Sequence, residues 1–158
     1  MVENDAPSNA RVFEKQSVFK ADLSRVIAFH NDPAVFSKLA PPPIFIQVQE
    51  DRRTSLEDGD LRFVLWFGPI PVPWHAQHEP GPTEHSFADR MMSGPLAYWR
   101  HEHIFEPVDG GIRLTDRITL AHHHGPRGIL SRLMFDGLPL KFLFFYRHLR
   151  TRWAVERS

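Results

Sequence analysis

Apolar and polar positions alternate with a period of two residues over much of the middle of this chain. The clearest alternation covers two segments, 98–105 and 112–120, with Gly110-Gly111 between them. Because residues of the same parity share one face of a strand, the two segments predict a β-hairpin with one mainly apolar face. That face also carries two histidines and an aspartate, which is typical of a pocket wall or of a core with a buried polar network. Its residues are Trp99, His101, His103 and Phe105 in the first strand and Leu114, Asp116, Ile118 and Leu120 in the second.

The same kind of pattern predicts five further strands before this hairpin. Two short helices are expected between the first two strands, and Asp22 is placed to cap the first of them, over residues 23–30. Pro33 can open the second helix, which extends through Leu39. The predicted strands span residues 11–20, 44–52, 61–67, 74–79 and 85–92, and the turns between the last four span 57–60, 68–73 and 80–82.

The C-terminal segment, residues 129–156, has apolar residues at helical spacing. We expect one long amphipathic helix that packs this stripe on the sheet and is kinked near Gly137 and Pro139. The segment has more apolar residues close to the kink than one buried face of the helix requires. The additional ones could form a cavity mouth, a dimer contact or a membrane-surface patch. The stripe consists of Leu130, Met134, Leu138, Phe142, Phe145, Leu149 and Trp153, and the additional residues are Phe135, Leu138, Leu140 and Phe144.

The order of these elements predicts an α+β fold. A curved antiparallel sheet of seven strands is expected to wrap around the long C-terminal helix, with the two short helices after the first strand. Such an arrangement leaves room for an internal cavity between the sheet and the helix. Residues 11–158 are expected to form a single ligand-binding domain, preceded by a disordered tail at residues 1–10.

Composition excludes several classes of function. Among the 158 residues, 42% are hydrophobic, and nineteen basic side chains balance nineteen acidic ones, so no net charge favours nucleic acid. The absence of cysteine excludes disulfides, thiolate metal sites and a cysteine nucleophile. No apolar run is long enough for a transmembrane segment, and residues 1–10 lack the apolar core of a secretory signal. We therefore expect a cytoplasmic protein.

Several local segments, together with the order of the elements, are similar to those of a known family. The segments are Phe29-His30-Asn31-Asp32-Pro33, Pro41-Pro42-Pro43, Phe87-Ala88-Asp89-Arg90, Gly94-Pro95, Trp99-x-His101-x-His103-x-Phe105, Gly110-Gly111, Asp116 and Tyr146-Arg147. They resemble the helix-grip fold of the SRPBCC superfamily, which includes the START and Bet v 1-like domains. The resemblance is closest to bacterial ligand-binding and polyketide cyclase/dehydrase-like members, and it implies binding of lipids, hormones or polyketides, or catalysis on such molecules. One departure is Met91, where such relatives often carry glutamine, which implies a less polar pocket.

Four titratable side chains, His101, His103, Asp116 and Asp89, are predicted to line one wall of the cavity and are the candidate catalytic group. An aspartate that accepts from one imidazole nitrogen leaves the other nitrogen free to move a proton, which suits a cyclase or dehydratase. The same residues could instead form a purely structural network, because buried polar groups satisfy one another. A shift of one residue in register would turn the whole face outward.

The predicted ligand-binding set combines these polar groups with apolar walls. Arg147 is included because a guanidinium can bind a ligand carboxylate, although a cation near a helix C-terminus also complements the helix dipole. The set is Phe63, Leu65, Phe87, Met91, Trp99, His101, His103, Phe105, Leu114, Asp116, Ile118, Phe142 and Arg147.

The function that these observations favour is binding of a small hydrophobic molecule, such as a lipid, polyketide or aromatic metabolite. One alternative is an enzyme of the polyketide cyclase/dehydratase type that uses the His/Asp group, and another is a protein-interaction module, with a homodimer as one form. No metal or other cofactor is expected, because His101-x-His103 lacks the spacing of a cupin site and the consecutive His122, His123 and His124 diverge. No dinucleotide fingerprint, phosphate loop or Gly-x-Ser-x-Gly nucleophile motif occurs.

Overall fold

The computed structural model of the protein describes residues 5–157. Of the predicted tail, residues 1–4 lie outside this range, and the following residues include a turn in which the Ala10 N–H donates to the Pro7 carbonyl at 3.0 Å. The strands are β1 Arg11–Phe19, β2 Ile44–Asp51, β3 Gly59–Phe67, β4 Ile70–Pro80, β5 Ser86–Ser93, β6 Tyr98–Val108 and β7 Gly111–Ala121. The helices are α1 Leu23–Asn31, α2 Pro33–Lys38, α3 Ile129–Phe135 and α4 Gly137–Val155, with a 3-10 turn at Gly125–Gly128 before α3.

The seven strands form one antiparallel sheet in the order β1-β7-β6-β5-β4-β3-β2, which confirms the predicted α+β architecture. His101 of β6 pairs with Asp89 of β5 and with Ile118 of β7. His103 pairs with Phe87 on one side and with Asp116 on the other. Directly paired residues of an antiparallel ladder point to the same face, so the predicted register of the central strands is correct.

The outer face of these central strands carries a chain of ion pairs. Arg117 contacts Glu14 at 2.6 Å and Glu102 at 3.2 Å, and Arg100 contacts Glu79 at 2.7 Å. A one-residue slip would bury these charges, so the alternation of charged and apolar residues fixes which face is covered.

The strand β4 begins at Ile70, and the prediction that 68–73 forms a turn is therefore wrong for all but its first residues. Pro71 and Pro73 lie inside the strand. The neighbouring β5 pairs only with residues from His75 onward, so the first part of β4 has a free edge that tolerates residues without an N–H.

The two short helices follow their predicted capping residues. The Asp22 carboxylate accepts a hydrogen bond from the Arg25 N–H at 2.8 Å at the start of α1. Asp32 accepts from the Ala34 N–H at 2.9 Å, with Pro33 as the first residue of α2. These caps fix the direction in which both helices cross one end of the sheet.

The predicted long C-terminal helix is divided into α3 and α4 by an extended residue, Asp136. Gly137 has a φ of 56°, a left-handed value that suits glycine, and the Asp136 side chain accepts from its N–H at 2.9 Å. The chain therefore reorients before α4 begins, and Pro139 lies in the first turn of α4, where no N–H is needed.

Apart from Met134, which packs against the core, the apolar stripe predicted to pack on the sheet faces away from it, and for these residues the prediction is wrong. Leu138 is 79% exposed and Phe142 is 56% exposed, whereas Leu140 and Phe144 are buried. Both sets have helical spacing, so periodicity alone does not distinguish them. The residues of α4 that are buried are Leu140, Phe144, His148, Thr151 and Val155.

Two groups of buried side chains form the core. One lies between the sheet, α3 and α4 and includes Trp99, Phe135 and Phe144; the other lies near α1 and includes Phe87 and Phe105. Within residues 5–157, no helix is both long and apolar enough to cross a membrane.

Candidate ligand-binding site

A cavity of about 130 Å³ lies between the concave face of the sheet and helices α2, α3 and α4, and it is partly open to solvent. Its walls come from strands β2 to β6, and most of its lining side chains are apolar or aromatic. The apolar lining includes Val35, Phe36, Leu39, Ile44, Ile46, Leu61, Phe63, Leu65, Phe67, Trp74, Ala76, Phe87, Trp99, Phe135, Leu143 and Phe144.

The structure brings about half of the predicted site residues to this cavity. Those that line it are Phe63, Leu65, Phe87, Asp89, Trp99, His101, His103 and Arg147. Those that do not are Met91, Phe105, Leu114, Asp116, Ile118 and Phe142.

The β7 residues miss the cavity because the β1–β7 side of the sheet is closely covered, whereas Phe105 is buried in the core group near α1 and Met91 packs against the other core group. Phe144 of α4 contacts Phe13 of β1, with ring centroids 5.6 Å apart, so the β7 residues Leu114 and Ile118 are fully covered. The open space lies instead over β2 to β5. Phe142 projects into solvent, which corrects its prediction as a cavity residue.

Asp116 is the centre of a buried hydrogen-bond network behind the cavity wall. Its Oδ1 accepts from His101 Nε2 at 2.7 Å, and its Oδ2 accepts from His148 Nε2 at 2.6 Å. Since a carboxylate only accepts, each imidazole carries its proton on Nε2. His148 Nδ1 in turn forms a hydrogen bond with the Ser17 hydroxyl at 2.7 Å, which links α4 to β1.

His103 lies between two carboxylates. Its Nε2 donates to Asp89 Oδ2 at 3.0 Å, and its Nδ1 is 3.2 Å from Asp116 Oδ1, close but without an aligned hydrogen bond. The His103 ring stacks on Phe87, with centroids 4.1 Å apart, and contacts the His101 ring at a tilt of 32°, with centroids 3.7 Å apart. The two imidazoles are therefore held in contact, with the Asp89 carboxylate beside both at the cavity wall.

The imidazoles of His101 and His103 have opposite pKa shifts. Burial and the positive charge of His103 lower the pKa of His101 to about 4, against the pull of Asp116. Burial also opposes the charged form of His103, but the flanking aspartates outweigh it and raise its pKa. The aspartates remain ionised, because their hydrogen bonds and charge contacts with the histidines lower both carboxyl pKa values in spite of burial. The pair thus combines an imidazole whose neutral form is favoured, and which can accept a proton, with one whose charged form is favoured, and which can donate a proton.

Arg147 of α4 also lines the cavity. Its guanidinium lies over the Phe144 ring, 5.4 Å from the centroid, and among residues 5–157 no carboxylate forms a salt bridge with it. Burial lowers its pKa, although Asp116 and Asp89 at longer range act in the opposite direction. An arginine stays protonated in such a setting, so the cavity contains a cation without a partner.

Three histidines of the site were not among the predicted residues. His148 lies on the buried face of α4, which the apolar pattern did not identify. His30 lines the cavity with its Nδ1 donating to the Val26 carbonyl at 2.9 Å, and burial with the charge of His103 lowers its pKa to about 4. His78 donates from Nδ1 to the Leu56 carbonyl at 2.9 Å. The position of His30 at the end of the first predicted helix, before Asn31-Asp32-Pro33, was the available signal.

Among the described residues, Asp89, His101 and His103 are those whose donor atoms converge enough to hold a metal ion, with all three within 4.8 Å of one another. Two imidazole nitrogens and a carboxylate oxygen suit several divalent metals. In the arrangement seen here His103 Nε2 and the Asp89 carboxylate hydrogen-bond to each other, and a metal would displace that hydrogen bond.

The arrangement of the sheet and the helices identifies the fold of the protein. The chain has the helix-grip fold of the START and Bet v 1-like proteins, which confirms the resemblance at the level of the fold. No family model and no curated protein sequence matches the chain.

The assignment of the fold comes from similar solved structures. A START superfamily protein from Mycobacterium smegmatis is 10% identical, with 92% of this chain and 97% of that one covered and a TM-score of 0.64. A protein from Chromobacterium violaceum is 12% identical, with 94% and 99% covered and a TM-score of 0.69. The Zhui aromatase/cyclase from Streptomyces sp. R1128 is 15% identical, with 92% and 88% covered and a TM-score of 0.57.

Proposed function

We propose that the protein binds a small, mainly apolar molecule that carries one anionic or strongly polar group. The observation that carries this proposal is the cavity itself, in which apolar walls surround one unpaired guanidinium, that of Arg147. Apolar walls supply affinity by removing ligand surface from water, while a few convergent polar groups set the ligand's orientation. The likeness in fold to a START superfamily protein and to an aromatase/cyclase supports a hydrophobic or aromatic ligand.

The volume of the cavity limits the ligand's size. A closed apolar cavity of about 150 Å³ accepts benzene. The 130 Å³ here therefore encloses about one aromatic ring, and any further part of the ligand extends toward the open side. We propose a compound of one or two rings, with its acidic or carbonyl group at Arg147.

The proposal predicts that Arg147 discriminates between two ligands of the same shape. Naphthoate, an aromatic carboxylate, and acetonaphthone, its neutral methyl ketone, are the probes. Arg147→Met should weaken naphthoate binding by about tenfold to a hundredfold, because a charge-assisted ion pair is lost, and should change acetonaphthone binding much less. Isothermal titration of both probes into both proteins measures the difference.

The matched control is Arg150→Met, which removes a charge from the same helix at a residue that does not line the cavity. It should leave both affinities within about twofold, since exposed charges contribute little. Equal losses for naphthoate in the two variants, or no binding of either probe to the wild-type protein, would contradict the proposal.

Proton transfer is a second candidate activity, favoured by the opposite pKa shifts of His101 and His103. In the acetonaphthone complex, His101 Nδ1 would take a proton from the methyl carbon beside the carbonyl as the enolate forms. That proton would exchange with solvent, and the enolate carbon would then take up a proton that comes from solvent. In deuterium oxide the methyl group would then gain deuterium faster with wild-type protein than with His101→Phe. Equal rates of deuterium incorporation with the two proteins would contradict proton transfer by His101 and would leave the binding proposal unaffected.

A further inference from the structure

Helix α4 has two apolar faces, of which one packs on the sheet and the other is largely exposed within residues 5–157. The second face, here called the outer stripe, recurs every three or four residues and consists of Leu138, Phe142, Phe145, Leu149 and Trp153. Phe142, Phe145 and Trp153 are 56%, 54% and 48% exposed. With a rise of about 1.5 Å per residue, the stripe is roughly 22 Å long.

The preceding helix adds to this exposed apolar surface. Ile129, Leu130 and Leu133 of α3 are each about half exposed or more. Single exposed apolar residues are common, but large side chains in such a concentration on consecutive helices are typical of an interaction surface.

The segment that carries these residues is strongly basic. Residues 122–155 contain six lysine or arginine side chains and one carboxylate, that of Asp136, although the chain as a whole has no net charge. By helical spacing Lys141 and Arg152 lie beside the outer stripe on one flank, and Arg150 lies on the other. Lys15 of β1 also lies near it, with its Nζ 5.9 Å from the Phe145 ring centroid. Arg152 pairs with Glu156, and the other cations named here have no ion pair among residues 5–157.

This charge distribution argues against a second copy of the chain as the partner of the outer stripe. A symmetric dimer brings the same patch of both subunits together, so two basic faces would meet and repel. An occupant with negative charge and an apolar interior fits the surface instead.

We infer that the outer stripe docks on an anionic lipid surface. Phenylalanine, tryptophan and leucine on one face of a helix, flanked by lysine and arginine, are the composition of helices that lie in the membrane interface. Leu143 and Arg147 of the same helix line the cavity, so docking would place the cavity close to a source of apolar ligands. The inference rests on the exposed residues and charges of α3 and α4, and not on the proposed ligand.

Sedimentation with lipid vesicles tests the inference. The full chain should co-sediment with vesicles of phosphatidylglycerol and phosphatidylcholine in equal parts, and much less with phosphatidylcholine alone. Raising the salt concentration from about 0.1 M to 1 M should weaken binding, because the Debye length falls from about 10 Å to 3 Å. The double variant Phe142→Ser, Phe145→Ser should bind about tenfold more weakly or worse, since two large apolar side chains are lost.

A matched control is Phe45→Ser on β2, because Phe45 is 66% exposed and its neighbours Ile44 and Ile46 line the cavity, so it faces the opposite side of the sheet. This variant should bind like the wild type, and circular dichroism should show all variants folded. Equal losses in the two variants would overturn the inference. So would failure to bind anionic vesicles, whether the protein sediments as a monomer or as a dimer that the double variant abolishes. The naphthoate titration reports on the cavity separately, so the two proposals can fail independently.

Discussion

Replacing Asp116 by alanine is expected to lower the free energy of unfolding by about 3–5 kcal/mol, a large part of a typical domain's stability. Asp116 accepts from His101 and His148 and lies 3.2 Å from His103 Nδ1, and it is 3% exposed. Without it, the buried N–H groups of His101 and His148 lose their acceptor, and His103 keeps one neighbouring carboxylate, Asp89, instead of two. The cost is therefore that of two unsatisfied buried donors together with a weaker counter-charge beside His103.

Urea unfolding of the wild type and of Asp116→Ala measures this effect. Glu14→Gln is the matched control, because Glu14 pairs with Arg117 at 2.6 Å on the exposed side of the same sheet. Its removal should cost less than about 1 kcal/mol, as is usual for surface ion pairs. If the two variants lose similar, small amounts of stability, the network around Asp116 does not hold α4 to the sheet as described.

The stability of the protein is expected to pass through a maximum near pH 6.5. The pKa of His101 is about 4 in the folded protein and 6.5 as the ordinary value, so its contribution is present above pH 6.5 and is lost as the pH falls toward 4. For one imidazole, this difference between the folded and the ordinary pKa corresponds to a loss of about 3 kcal/mol in the free energy of unfolding. His30, with a pKa of about 4, acts in the same direction. The two aspartates do not contribute to this limb, because their contribution is lost only below their ordinary pKa of 3.8.

The alkaline side of the maximum comes from His103. Its pKa is raised on folding, so its contribution is fully present below pH 6.5 and is lost as the pH rises through its folded pKa. Urea midpoints measured from pH 4 to pH 9 give the profile, and His30→Gln should shorten the acid limb because one low-pKa imidazole is removed. A flat profile between pH 6.5 and 4 would contradict the buried, neutral state of His101.

Alternation along the strands made the central sheet predictable from sequence. In β6 the inward-facing residues Trp99, His101 and His103 alternate with the charged residues Arg100 and Glu102. Only one register therefore keeps both charges on the outer face. The caps at Asp22 and Asp32 were predictable for a similar reason, since they depend only on neighbouring residues. Local patterns were thus sufficient to predict the strands, and to predict that the candidate site residues on β5, β6 and β7 share one face of the sheet.

The position of α4 across the sheet could not be predicted in this way. Its buried face includes His148 and Thr151, whose polarity is satisfied by Asp116 and by the Arg147 carbonyl, so the face looks less apolar than the exposed one. Hydropathy therefore selected the outer stripe. The error moved Phe142 into the predicted cavity and left His148 out of the predicted network.

The location of the cavity was beyond prediction for a related physical reason. It depends on α4 covering the β1–β7 side of the sheet closely, through contacts such as Phe13–Phe144, while α2 leaves space over β2 to β5. These contacts join residues far apart in the chain, and no short segment encodes them.

The most direct test of the ligand proposal is a set of intermolecular NOEs between naphthoate and the isotope-labelled protein at saturating probe. We expect NOEs from the naphthoate ring protons to the methyl groups of Leu61, Leu65 and Ala76, which line the cavity. NOEs to Leu138 and Phe142 of the outer stripe, or none to any cavity residue in the saturated complex, would contradict it.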